Sequence, residues 1–212
     1  MDIVSGRSLA LDLKNELLDL RDASAFLSSK GWAKGSSGNI SLLSSCRAKG
    51  ALPVSSVHPF SPFRMMMTGR YVWVTRTGSR MQDLSHHPLE NLGLYRIAEE
   101  ELELVFGSGP PSSEVRAHLS IYDATDAQAV VHCHMEWIGT EDVPSGKPIH
   151  GFCMLPRAKE GSLDLAMSTA EAAPSFHTMI WQGHGALALG KDLEECLDRL
   201  STLDRWHSDR MC

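Results

Sequence analysis

The stretch Ser112–His134, SSEVRAHLSIYDATDAQAVVHCH, decides how the chain is read. Its hydrophobic period changes midway. Val115, Leu119 and Tyr122 recur at helical spacing behind Ser112 and Ser113, either of which can cap a helix N-terminus, and Pro110 and Pro111 stand just before them. The run Ala129–Val131 then leads into two histidines one residue apart. Side chains alternate along a strand, so His132 and His134 share one face while Val131 and Cys133 share the other. Two neighbouring imidazoles bury poorly unless a metal ion, or hydrogen bonds in a polar cleft, hold them.

Working outward, residues 9–28 carry Leu9, Leu13, Leu17, Leu20, Phe26 and Leu27 at helical spacing, which predicts one or two amphipathic helices. Gly31, Gly35 and Gly38 end that pattern, and a strand is expected to begin near Ile40, Leu42 and Leu43. Residues 44–68 are rich in Ser and Pro and predict a long irregular surface excursion. Tyr71–Thr75 predicts a strand followed by a Gly turn; residues 88–107 fit either a helix or two strands around a turn. A strand pair is expected in GKPIHGFCMLP (146–156) and another in TMIWQGHGALALG (178–190), around a Gly-His-Gly break. Leu193, Cys196, Leu197, Leu200, Leu203 and Trp206 mark a final helix. Strands grouped between terminal helices imply an α+β or layered α/β/α domain spanning residues 1–212.

Composition narrows the function classes. The chain has 212 residues, of which 42% are hydrophobic, and a formal charge of −6. The balance suits a protein with a real core and gives no global attraction to nucleic acid or an anionic membrane. No apolar run approaches the roughly 20 residues of a membrane span, and no signal peptide is expected from the first twenty residues. The five cysteines are scattered, with no C-x-x-C pair, and read as reduced thiols of a cytoplasmic protein.

Three segments hold candidate chemistry. His132 and His134 offer two donors for a divalent ion, and a catalytic site needs a third plus an open position. His184, between two glycines, is one candidate; His58, His86, His87, His118, His150, His177 and His207 compete. Ser112 and Ser113 at a helix start form a potential anion site. Glu114 beside them is either a residue stabilising the helix N-terminus or a general acid/base. GSSGN (35–39) can cradle a phosphate on its backbone amides, and is also what an ordinary tight turn looks like.

The order of these segments is more specific than any one of them: S-G-N-x-S, T-G, S-S-E leading a helix, V-V-H-x-H, then a late G-H-G before GKDLEECLDRL. From about residue 8 to residue 206, outside 44–68, it resembles the class II aldolase/adducin family. The resemblance implies an α/β fold, a three-layer α/β/α sandwich around a mixed, largely antiparallel sheet. It places the metal ligands on His132, His134 and His184, with Zn2+ the expected ion, and the catalytic carboxylate on Glu114. It places the substrate phosphate on Ser36, Asn39, Thr77, Gly78, Ser112 and Ser113. It implies a homotetramer that takes a small phosphorylated sugar, cleaving a ketose phosphate through an enediolate. The alternatives it leaves are a dehydratase of the methylthioribulose-phosphate type and a non-catalytic, adducin-head-like assembly module. Family aldolases place a tyrosine in the strand after the H-x-H; the matching position here is Phe152.

Overall fold

The computed structural model describes residues 3–46, 52–59, 66–138, 148–149 and 151–210. The strand expected at the end of the quoted block forms as β6, Ala129–Cys133, with all five residues buried. Burial on both faces explains why it reads as a nearly continuous apolar run. It sits mid-way across a ten-stranded sheet in the order β2-β5-β4-β3-β1-β6-β10-β9-β8-β7. The strands are β1 (Asn39–Leu43), β2 (Ser56–Pro59), β3 (Tyr71–Thr75), β4 (Leu92–Ile97), β5 (Glu101–Gly107), β7 (Pro148–Ile149), β8 (Phe152–Leu155), β9 (Thr178–Trp181) and β10 (Gly185–Gly190). Every neighbouring pair is antiparallel except β8 and β9. A parallel pair needs a crossover, and α5 (Leu163–Ala172) supplies it.

Strand alternation sorts the core into two halves. Val131 and Cys133 face one side with Ile40, Leu42 and Trp73, packed under α1 (Ile3–Ser29), α2 (Met81–His86) and α6 (Leu193–Arg210). Val130 faces the other side with Val72, Val74, Leu187 and Trp181, packed under α4 (Val115–Ala124) and α5. The result is the mixed-sheet α/β/α sandwich expected from the sequence. His132 has the parity of Val130, so its ring emerges on the α4 side. The one-turn α3 (Pro88–Asn91) completes the set of elements.

α1 is one continuous helix. It ends at Gly31, whose φ of 69° fits the left-handed position after a helix C-terminus. The amide of Trp32 bonds to the Leu27 carbonyl at 3.1 Å and that of Gly31 to the Ser28 carbonyl at 3.0 Å, as a Schellman closure requires. Buried Glu16 on α1 accepts from Ser44 Oγ (2.7 Å), Ser45 N (2.6 Å), Ser45 Oγ (2.7 Å) and Trp73 Nε1 (2.8 Å). Glu16→Ala would strand those donors, and is expected to cost about 3 kcal/mol, by the scale of hydrogen bonds to a buried charge. Urea denaturation checks this; a loss under about 0.5 kcal/mol, the ordinary surface range, would show the donors find other partners.

Several local expectations are corrected. The 44–68 stretch contains an edge strand, β2, paired with β5. Of the two alternatives for residues 88–107, strands around a turn form, as the β4–β5 hairpin behind the short α3, while α2 and α5 fall where no helix was expected. Neither Ser112 nor Ser113 caps α4: the helix starts at Val115 with Glu114 in the cap position, and no side chain makes the cap bond. Among the described residues, no helix is long and apolar enough to cross a membrane.

Candidate metal centre and anion cleft

Register places the centre. β6 pairs with β1 so that His132 lies opposite Asn39, and with β10 so that it lies opposite Leu187. Paired residues project from the same face, so Asn39 flanks His132. His134 lies one residue beyond β6, tied down by a 2.7 Å bond from its amide to the Trp32 carbonyl. His184 comes from the turn between β9 and β10, where Gly183 takes a φ of 69°. Trp181 braces both rings, with its centroid 4.5 Å from that of His132 and 5.3 Å from that of His184.

The three histidines each offer a ring nitrogen, and these nitrogens lie within 4.8 Å of one another. His132 Nε2 and His134 Nε2 are 3.0 Å apart. Donors of a tetrahedral zinc site at about 2.0–2.1 Å stand roughly 3.3 Å from each other, so this spacing suits a shared ion. His132 Nδ1 lies 2.9 Å from the Ala186 carbonyl. A carbonyl only accepts, so Nδ1 carries the hydrogen and Nε2 presents its lone pair to the centre. Burial pushes the His132 pKa down to about 3, which keeps that lone pair free at neutral pH. Burial likewise lowers that of His134. The donor set therefore fits a divalent cation.

Glu114 faces this triad. Its Oε1 lies 3.0 Å from His184 Nε2 and its Oε2 3.4 Å from His132 Nε2, while Asn39 Nδ2 donates to Oε2 at 2.6 Å. Burial opposes its ionisation, but the charge of the His132 and His184 rings when they carry a proton, together with the Asn39 amide, outweighs burial and holds the carboxyl below the usual carboxylate range. Behind it, buried His118 meets Ser41 Oγ at 2.8 Å, and Ser41 Oγ meets Tyr122 Oη at 2.7 Å. Burial lowers the His118 pKa to about 4.

A cleft of about 110 Å³ opens over the centre. All six residues expected around an anion line it: Ser36, Asn39, Thr77, Gly78, Ser112 and Ser113. Two of them already spend a donor elsewhere. The Asn39 amide serves Glu114, and the Thr77 hydroxyl donates to the Pro111 carbonyl at 2.6 Å. Arg76 and Glu160 also line the cleft and were not anticipated. Arg76 was legible only as the neighbour of the Thr77-Gly78 pair. Glu160, whose Oε1 is 3.6 Å from His184 Nε2, had no local signal.

The competing histidines lie elsewhere. His58 meets Ser56, His207 stacks on Trp137, His118 sits behind Glu114, and His86, His87 and His177 are exposed. His150 lies outside the described residues. Phe152 is buried against Trp206, with ring centroids 5.8 Å apart.

Gly185 is where backbone meets ligands. A Cβ there would stand 2.4 Å from the Cys133 carbonyl and 2.7 Å from His132 Cε1. Gly185→Ala is therefore expected to shift His132 and weaken metal binding by about 10–100-fold, the range seen when a ligand's support is lost. Competition with a chromophoric chelator measures this, and wild-type affinity in the variant would refute it.

The comparisons with known proteins agree with this architecture. The class II aldolase and adducin N-terminal domain model matches residues 19–208. Rhamnulose-1-phosphate aldolase from Bacteroides thetaiotaomicron is 24% identical, over 91% of this chain and 84% of its own length. 3-Oxo-tetronate 4-phosphate decarboxylase from Escherichia coli O6:H1 is 27% identical, over 87% of this chain and 80% of its own. Both relatives are lyases. The crystal structure of a sugar-phosphate aldolase from Thermotoga maritima shares the fold with a TM-score of 0.76 at 24% identity, covering 91% of this chain and 92% of that one. The match over residues 19–208 makes this chain a member of the class II aldolase and adducin N-terminal domain family.

Proposed function

We propose that residues 1–212 act as one metal-dependent lyase domain that cleaves a phosphorylated ketose. The observation that supports this most is a buried carboxylate facing three convergent imidazoles beneath a hydroxyl-lined cleft. His132, His134 and His184 hold the ion, which we take to be zinc from its nitrogen donors and compact spacing. A divalent cation there supplies the Lewis acid that stabilises negative charge developing on the ketose oxygens. Glu114 takes and returns the proton that bond cleavage moves, and Asn39 fixes its orientation. Ser36, Asn39, Thr77, Gly78, Ser112 and Ser113 hold the substrate phosphate, whose binding energy fixes the reacting carbons against the centre. The complete triad with its carboxylate supports an enzyme over an assembly module.

Phe152 favours a second reading. A phenylalanine buried against Trp206 offers no hydroxyl to take the proton from the alcohol that becomes the aldehyde in ketose cleavage, whereas loss of CO2 from a 3-oxo acid phosphate has no such alcohol to deprotonate. The test is metal-loaded protein assayed against rhamnulose 1-phosphate, fuculose 1-phosphate and 3-oxo-tetronate 4-phosphate. Aldehyde release supports cleavage and CO2 release supports decarboxylation. Equal rates on the unphosphorylated ketoses would remove the phosphate assignment, and absence of metal after loading would remove the whole reading.

A further inference from the structure

We infer that Arg76 reads charge in the cleft: its guanidinium binds the substrate's anionic group and selects a doubly charged phosphate monoester over singly charged or neutral groups. The inference rests on the phosphate reading above and adds the cation that reading lacks. Ser36, Thr77, Ser112 and Ser113 are neutral, so a site built on them alone holds an anion by dipoles. Arg76 is the cationic side chain among the residues lining the cleft, between Thr75 at the end of β3 and the Thr77-Gly78 turn.

Three observations place it there for a ligand. First, Arg76 is only half exposed, yet among the described residues it forms no ion pair and its side chain meets no hydrogen-bond acceptor; its Nε is buried and unpartnered. A guanidinium is always charged, so leaving it partly desolvated and unpaired is costly unless an anion completes it. Second, neither carboxylate lining the cleft forms an ion pair with Arg76: Glu114 Oε2 takes the Asn39 amide at 2.6 Å, and Glu160 is an exposed side chain whose Oε1 lies 3.6 Å from His184 Nε2. Third, the fold makes room for the arginine stem. Gly109 packs against it so closely that a Cβ would stand 2.1 Å from Arg76 Cδ and 2.5 Å from Cγ. The backbone is pinned as well, by the Arg76 amide on the Asn91 carbonyl at 2.9 Å and the Ser79 amide on the Arg76 carbonyl at 3.1 Å. Arg76 lines the same cleft as the Ser36, Ser112 and Ser113 hydroxyls, and the N–H fork of a guanidinium matches the paired oxygens of a phosphate monoester.

The test uses the full-length, metal-loaded protein, with inorganic phosphate and dimethyl phosphate at pH 8 as dianionic and monoanionic probes in calorimetric titrations. Wild type is expected to bind phosphate more tightly than dimethyl phosphate. Arg76→Met keeps the stem packed on Gly109 and removes the charge. It is expected to weaken phosphate about 10–100-fold and dimethyl phosphate several-fold less, at unchanged metal stoichiometry. Arg76→Lys restores charge without the fork and is expected to stay within about tenfold of wild type. Phosphate binding to Arg76→Met within twofold of wild type overturns the inference and leaves the phosphate assignment standing. Failure of the metal-loaded wild type to bind phosphate at all overturns both. If Arg76→Met does not fold, Arg76→Gln takes its place, and phosphate binding to it within twofold of wild type decides against the guanidinium.

Discussion

His184→Ala is expected to abolish bound metal and turnover together while leaving the fold intact. The ring packs on Trp181 at the cleft and belongs to neither hydrophobic core cluster, and Trp181 keeps its place through its 3.1 Å bond to Thr169 Oγ1. Two imidazoles remain, His132 and His134. Their affinity should fall by more than the about 10–100-fold that follows loss of a mere ligand support. With the Lewis acid gone, several kcal/mol of charge stabilisation go with it, so the rate should drop by about 10³-fold or more. Elemental analysis of the purified variant gives the stoichiometry. Thermal melts give an independent readout, because a metal that binds only the folded state raises the melting temperature. Wild type should lose that increment in chelator, and His184→Ala should melt alike with and without chelator. One equivalent of tightly held metal in the variant would exclude His184 as a ligand.

The second large effect is Glu114→Gln. An amide is the same size, keeps an oxygen for the 2.6 Å bond from Asn39, and has no proton to exchange at neutral pH. The expected cost is about 10²–10⁴ in rate, or about 2.7–5.4 kcal/mol of barrier. A residue that only stabilised the helix start would lose about 0.3–1 kcal/mol of stability on losing its charge and nothing in turnover. The geometry speaks against that role, since the carboxylate makes no cap bond and points at His132 and His184. Unchanged substrate binding with near wild-type turnover in Glu114→Gln would refute proton transfer at this residue.

Local pattern carried much of the fold. The Tyr71–Thr75 strand, the strands around Gly-His-Gly and the last helix follow from periodicity and glycine breaks, because their apolar spacing matches the faces they bury. α5 was missed because LDLAMSTAEA is short and small-residued, with Leu165, Ala166 and Thr169 as its buried positions, too little for a clear stripe. β2 was missed because SVHP has the composition of a loop. It is a strand only because the β5 edge offers it hydrogen-bond partners, and its alternating exposure reflects that edge position.

The candidate site divides the same way. Chain order alone determined that His132 and His134 share a face, that a helix begins beside Glu114, and that glycine-rich turns stand ready near Asn39 and His184. Period-two alternation and glycine's freedom are local properties, legible without a partner. The family resemblance already pointed to His184, but local spacing left the other histidines open; the tertiary structure brings its ring nitrogen, among the described histidines, to those of His132 and His134. It also turned the Asn39 amide toward Glu114 and left Arg76 lining the cleft with no ion pair among the described residues. Those outcomes depend on which strands lie side by side. The β1–β6–β10 register puts residues 39, 132 and 187 in one row, and no local spacing encodes a row assembled from segments so far apart in the chain.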